Sequence, residues 1–445
     1  MNELIFASAT ALARAIRKRT VSSQEVVRAH LERITALQPK INAVSLMLPD
    51  AMDRAKEADN ALSRGTLWGP LHGVPFTVKD VFETTGHLSA LDRDLRKRSA
   101  PTHDATVVER MRHAGAILLA KSNCPPNGSG VDTENTITGR TLNPYNFNCT
   151  PGGSSGGEAA LVAAGGSPIG IGSDQNGGLR IPAHYCGTTS LKPTAGRVPN
   201  TGAYNQPGGL TDPRTQIGPI ARTVEDLALI LPIIAGPDDY DSGVVPVPFQ
   251  LGRGDRLPAE RDDLLPDTTP IHPENLTVAW FSDEVLSPIS ADSRTVLNNA
   301  VKALTDAGIE MHNIMPKDLL RQSRNINELW QNMAGSTGRT NVEAIAMWDD
   351  LRTRMLYFMA QYDAILCPVD HHPAPSFRER DPQRFSYTLP FSLTGYPGVV
   401  VRAGTSNQGL PIGIQVIARP WREDIALAIA RLIEIALGGW KMPAI

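Results

Sequence analysis

The sequence predicts one large α/β domain. Three observations lead there. Apolar, strand-forming segments alternate with amphipathic helical ones along the chain. The 445 residues are 41% hydrophobic, enough for a substantial core. Neither an internal repeat nor a shift in composition marks a boundary, so residues 1–445 read as a single unit.

The elements follow in order. Ser22-x-x-Glu25 is a capping box opening a helix over SSQEVVRAHLERITAL, and DAMDRAKEADNALSRG is a second amphipathic stretch closed by Gly65. These helices are expected to pack outside a sheet. GVPFTVKDVF, from Gly73 to Phe82, is β-rich and apolar on both faces, as a buried central strand should be. DATVVERMRHAGAILLAKSN gives helix, glycine and apolar strand. From Asn143 to Pro199 the chain is rich in glycine, serine and threonine yet carries AALVAAGG and PIGIG, which marks a packed, turn-rich core. After the helical ARTVEDLALILPIIAG, a proline- and acid-rich region from about 237 to 273 reads as a surface excursion. LTVAWFSD and SADSRTVLNNAVKALTDAGIEMHNI form another strand, helix, strand unit. DAILCPV, GVVVRAG and PIGIQVIA are late strands, and REDIALAIARLIEIAL is a closing amphipathic helix.

Charge and cysteine usage narrow the function. The 43 basic and 46 acidic residues give a net charge of −3 with no dense basic block, which argues against nucleic acid or an anionic membrane and for a small or neutral ligand. Cys124, Cys149, Cys186 and Cys367 show no CxxC spacing, so reduced thiols are expected instead of a zinc knuckle or disulfide framework. Glu3 stands where a signal peptide would be basic, and the apolar run from Leu227 is short and holds Pro232. A cytoplasmic enzyme is the expectation.

The stretch CTPGGSSGGEAALVAAGG, Cys149 to Gly166, carries the chemistry, and four readings compete for it. A phosphate-binding loop would need G-x-x-x-x-G-K-[ST], which does not follow. A nucleophile elbow is suggested by Gly153-Ser154-Ser155-Gly156-Gly157, with Ser155 central, but the preceding NPYNFNCTPG is polar and turn-forming where an apolar strand is required. A glycine turn without chemistry is the third. The fourth joins the loop to Lys79, which sits in the apolar strand beside Val78 and Val81. A lysine there either snorkels to the surface or is buried, and burial disfavours the ammonium form, which makes the amine a base.

At these residues the chain resembles the amidase signature family. The resemblance rests on GPLHGVPFTVKDVFETTG (Gly69 to Gly86), TPGGSSGGEAALVAAG, and IGSDQNGGLRIPAHYCGTTSLKPTAGRVP (Ile171 to Pro199). LPFSLTGYPGVVV and GLPIGIQVIARPWREDIAL extend it across nearly the whole chain. It implies a single domain with a central mixed β-sheet covered by helices, a signature core at about 67–235, and a Ser-cisSer-Lys triad. Lys79 takes the place of the base, and Ser154 that of the bridging serine on a cis peptide bond. Ser155 becomes a hydrogen-bonding neighbour. The implied reaction is hydrolysis of a C–N bond in an amide or carbamate, by acyl transfer to water, with neither metal nor organic cofactor.

The chain departs from the family at the nucleophile. The family pattern D-x-G-G-S-I-R-I-P aligns with SDQNGGLRIPA so that the nucleophile's place falls on Gly178, which has no hydroxyl. Gln175, Asn176, Gly177 and Gly178 then supply backbone N–H groups for an oxyanion hole, and Asp174 pairs with Arg180 to hold the loop. Three explanations remain open: an active amidase deprived of its nucleophile, a natural pseudo-enzyme that binds an amide, or attack by another hydroxyl, Ser155 or Ser173. Ser173 stands where the family usually has threonine, which suggests a structural hydroxyl.

Other polar groups are expected to be inert. DHHPAP, Asp370 to Pro375, lacks further spaced ligands and reads as a loop without metal. His184, Cys186 and Cys149 are expected to be packed interior groups. The stretch between NIMPKDL and YDAILCPV is shorter than is usual in the family, where it roofs the acyl pocket; an open site for bulky amides, anilides or urethanes is implied. The rival reading is an amidotransferase component that hands ammonia to a charged tRNA and needs partner subunits.

Overall fold

The computed structural model describes residues 2–89, 100–203, 214–248, 271–283, 287–331, 338–377, 379, 381 and 383–445. The first long helix, Ser23–Ile41, starts on the expected capping box: Ser22 Oγ accepts from the Glu25 N–H, and the Glu25 carboxylate accepts from the Ser22 N–H at 2.8 Å. It ends at Asn42, whose φ of 47° breaks the helix. The second expected helix is Ala51–Ser63, and Ser23 and Gln24 donate backbone N–H groups to Asp59 within it.

Eleven strands form one mixed sheet. In chain order the strands are β1 (Val44–Met47), β2 (Pro75–Lys79), β3 (Ile117–Ser122), β4 (Glu134–Asn135), β5 (Gly139–Arg140), β6 (Ile169–Asp174), β7 (Thr189–Lys192) and β8 (Gln216–Ala221). β9 (Thr277–Trp280), β10 (Glu310–Asn313), β11 (Ala364–Pro368), β12 (Gly398–Thr405) and β13 (Pro411–Ala418) complete the set. β4 and β5 make a separate hairpin, and the large sheet runs β1-β3-β2-β6-β8-β7-β12-β13-β11-β9-β10. β3, β2 and β6 are mutually parallel, as are β11, β9 and β10; the strands between pair antiparallel. The expected architecture, an α/β domain with a mixed sheet under helices, is present. The excursion expected at 237–273 falls largely on 249–270, outside the described residues.

All five residues of β2 are buried, as its two-sided apolar composition requires. Successive side chains point to opposite faces. Phe76 and Val78 join the cluster that holds Ile169, Ile171, Ile217 and the helix residues Leu227, Ile230 and Leu231. Each such side chain contributes about 1.5–3 kcal/mol on burial. Thr77 and Lys79 turn the other way, toward the wholly buried helix Gly156–Ala163. That helix is alanine-rich because it lies within a second cluster, against Ile117, Leu119 and Ile220, where there is room only for small side chains. One face of β2 therefore builds core and the other delivers polar groups. Those groups gather at the carboxyl ends of the parallel β2, β3 and β6, the edge where open α/β sheets place their ligands.

Candidate active site

Lys79, last residue of β2, is fully buried. Its Nζ lies 3.1 Å from the Gly128 carbonyl oxygen, 2.9 Å from Ser173 Oγ and 2.6 Å from Ser154 Oγ. The carboxylate of the next residue, Asp80, is engaged elsewhere: Lys121 Nζ stands 2.9 Å from one oxygen and Ser45 donates its hydroxyl to the other. The snorkelling alternative for Lys79 is thereby ruled out.

Ser154 follows a cis peptide bond from Gly153. At Gly153 a side chain has no room, since a Cβ there would come within 2.5 Å of the Gly130 carbonyl oxygen and 2.9 Å of the Asp132 nitrogen. The glycines of the signature loop thus let a second stretch of backbone pass directly over it. Ser155 is fully buried; its Oγ accepts from the Ser173 N–H and donates to the Ser173 carbonyl, both at 3.2 Å. Its own N–H donates to the Gly178 carbonyl. Ser155 is a tie between loop and strand.

The segment after β6 is held from beneath. Asp174 accepts from Arg180 Nε at 2.9 Å and from the backbone N–H groups of Leu179 and Arg180. Burial pushes this carboxyl up, and the Arg180 guanidinium more than offsets that, leaving it below the usual carboxylate range. The expected Asp174–Arg180 pair is present. Among the described residues, the N–H groups of Asn176, Gly177 and Gly178 carry no hydrogen bond. Gly178 faces the bridging hydroxyl: a Cβ at this position would lie 3.1 Å from Ser154 Oγ and 2.5 Å from the Ser173 carbonyl oxygen.

A family model described as Amidase matches residues 25–342 and 319–427. The chain belongs to the amidase family. Among amidase relatives, the acylamidase of Rhodococcus erythropolis is 30% identical, the match covering 98% of this chain and 97% of that protein. A glutamyl-tRNA(Gln) amidotransferase subunit of Carboxydothermus hydrogenoformans is 29% identical over 97% of each. The solved structure of 6-aminohexanoate cyclic dimer hydrolase complexed with substrate superposes with a TM-score of 0.79, at 26% identity over 97% of each chain.

Several groups around these residues carry no local sequence signal. Glu158, fully buried in the first turn of the helix that follows the serine loop, accepts from Thr77 Oγ1 at 2.7 Å, and burial pushes its carboxyl up to about 8. Thr388 Oγ1 donates to the Asn176 carbonyl, and Phe385 lies 3.1 Å from where a Cβ on Gly177 would stand. Arg384 Nη1 reaches Asp132 at 3.1 Å and the Val131 carbonyl at 3.2 Å. One segment, 383–388, thus braces both the loop after β6 and the stretch of backbone that crosses Gly153.

The DHHPAP loop is more organised than its sequence indicates. His371 Nδ1 donates to Asp370 at 2.9 Å and lies 3.4 Å from Asp381, while its Nε2 is hydrogen-bonded to Ser287 Oγ. Tyr185 donates its hydroxyl to Asp370. Asp370, His371 and Asp381 bring their ligand atoms within 4.8 Å of one another, as a metal site would. Here those atoms bond each other, and Ser287 is fully buried, so the group ties three segments together. Ser287 is too distant in sequence to be joined to the loop by spacing, whereas Asp381, ten positions after His371, corrects the expectation that no further spaced ligand is present. His184 and Cys186 are buried, as expected: His184 Nδ1 accepts from the Gly413 N–H at 2.8 Å, and Cys186 packs in the core. All four cysteines are free and buried. Among the described residues no helix is long and apolar enough to cross a membrane.

Proposed function

We propose that this chain carries an amidase-type hydrolase site for C–N bonds, in which Lys79 is the base, Ser154 the hydroxyl relaying its effect, and residues 175–178 the oxyanion loop. Gly178 withholds the nucleophile used by the family's route. One observation carries the reading: Ser154 Oγ stands 2.6 Å from Lys79 Nζ on one side and 3.1 Å from the side-chain position of residue 178 on the other. With a hydroxyl at position 178, a proton can pass through Ser154 to Lys79.

The substrate class we assign is amides, anilides or carbamates with a bulky apolar group. Support comes from Phe385 and Ile181, which flank Gly177 at 3.1 Å from its missing side chain. The relative named acylamidase favours an acyl amide. No cofactor is called for, because acyl transfer through a serine needs only a base and oxyanion donors.

Gly178→Ser tests the reading on nitroanilide and nitrophenyl carbamate substrates. The added Cβ would sit 2.5 Å from the Ser173 carbonyl, so the loop must shift, at about 1–3 kcal/mol of stability. Hydrolysis should nonetheless rise by roughly 10²-fold or more, given what a missing triad member costs. A folded variant with no gain on either substrate overturns the proposal. The similarity to the glutamyl-tRNA(Gln) amidotransferase relative favours a second reading, a component that works with partners. Hydrolysis by the purified variant alone, without ATP or added protein, separates the two.

A further inference from the structure

Three hydroxyls crowd the end of β2 and β6, and they differ in what they are free to do. Ser155 has both lone pair and hydrogen committed to the Ser173 backbone and is fully buried. Ser173 is 1% exposed and accepts from Lys79 at the end of its strand. Ser154 is 9% exposed, stands closest of the three contacts to Lys79 at 2.6 Å, and borders the space above Gly178. The nearby thiol is no competitor: burial pushes Cys124 up to about 12, so it is not a thiolate at neutral pH.

We infer that Ser154 itself is the acyl-accepting nucleophile of this chain, with Lys79 as its base, the pair working in the space that a side chain at position 178 would otherwise fill. The inference rests on the amidase reading for its substrate class. A side chain at 178 would cover Ser154 and reduce it to a bridge. With glycine there, a carbonyl carbon one bond from Ser154 Oγ falls between that oxygen and the position a Cβ would occupy, 3.1 Å away. The N–H groups of residues 176–178, without a hydrogen bond among the described residues, supply donors for the oxyanion. Serine–lysine pairs without a third member are an established solution for acyl transfer.

The steps balance. The Ser154 hydroxyl proton passes to Lys79 Nζ as the Oγ–carbon bond forms. The C–N bond then breaks, and the Lys79 ammonium returns the proton to the leaving amine, leaving the acyl group on Ser154. Water attacks that ester, giving its proton to Lys79; the Ser154–acyl bond breaks, and Ser154 regains a hydrogen from Lys79.

An alkyl fluorophosphonate tests this with the unmodified chain. Ser154 Oγ should displace fluoride to give one adduct per molecule, located by intact mass and peptide mapping. Lys79→Met should slow labelling by at least about 10²-fold, the usual worth of a general base. Ser154→Ala should abolish it, with circular dichroism showing that the variant is folded. In Gly178→Ser the adduct should move to position 178. Absence of an adduct on the unmodified chain, or an adduct on any other residue, overturns the inference; mapping decides this even where Ser154→Ala does not fold. If Gly178→Ser labels and hydrolyses while the unmodified chain stays unlabelled, only this inference falls. If neither reacts, the amidase reading falls with it.

Discussion

Single residues divide into those that announce their role and those that acquire it from neighbours. Lys79 and Ser154 are legible because each breaks a local pattern: a lysine inside an apolar strand, paired serines among glycines. Gly128 is invisible, since what it supplies to Lys79 is a carbonyl oxygen that every residue possesses. Glu158 belongs with the second kind. Its carboxyl is raised from 4.5 to about 8 by burial, with Thr77 and the charge of Lys79 opposing. Below pH 4.5 the folded and unfolded chains are both protonated at this site. Between there and pH 8 the unfolded chain releases the proton and the folded one keeps it, so stability falls as pH rises, by about 1.4 kcal/mol per unit. Glu158→Gln removes that dependence. Urea midpoints taken from pH 5 to pH 8 should fall more steeply for the unmodified chain than for the variant, and parallel slopes would show that Glu158 is ionised in the fold.

At the scale of elements, strands and helices are readable from period and caps, whereas their partners are not. The capping box at Ser22, the two-sided burial of β2 and the alanine helix after the serine loop all follow from local chemistry. The bracing of the site by 383–388 joins Arg384 to Asp132 and Thr388 to Asn176 across more than 200 positions, a distance no spacing rule covers. The short helix Arg180–Cys186 shows what such bracing is worth. Its first residue holds Asp174 at the end of β6, and Arg180 also donates to the Thr388 carbonyl and Ser392 Oγ, every partner buried. Asp174→Ala would strand that guanidinium without its counter-charge. Breaking a buried pair from one side typically costs about 3–5 kcal/mol. Thermal and denaturant unfolding should register a loss of this size, and a change below about 1 kcal/mol would mean the pair behaves as though exposed to solvent.

For the molecule as a whole, sheet order is the least legible feature, because strands distant in sequence meet only through long-range packing. The closing helix, Glu423–Leu437, illustrates how the last residues complete the first. Glu423 pairs with Arg197 at 2.9 Å and accepts from the Thr194 N–H, while Glu434 accepts from the Val224 N–H. Ile425, Leu427, Ile429 and Ile433 lie in the main core. A chain ending at Ala418 should therefore lose near-ultraviolet circular dichroism and bind a hydrophobic dye strongly; a native-like spectrum would refute the helix's part in the fold. The middle of the sheet has a further consequence during synthesis. β12 and β13 stand between β7 and β11, yet are made after both. Until residues 398–418 clear the ribosome, β7 and β11 each present an open border to solvent, an invitation to pair with another nascent copy. Expression yield is therefore expected to depend on translation speed and chaperone supply while residues 398–418 are being made.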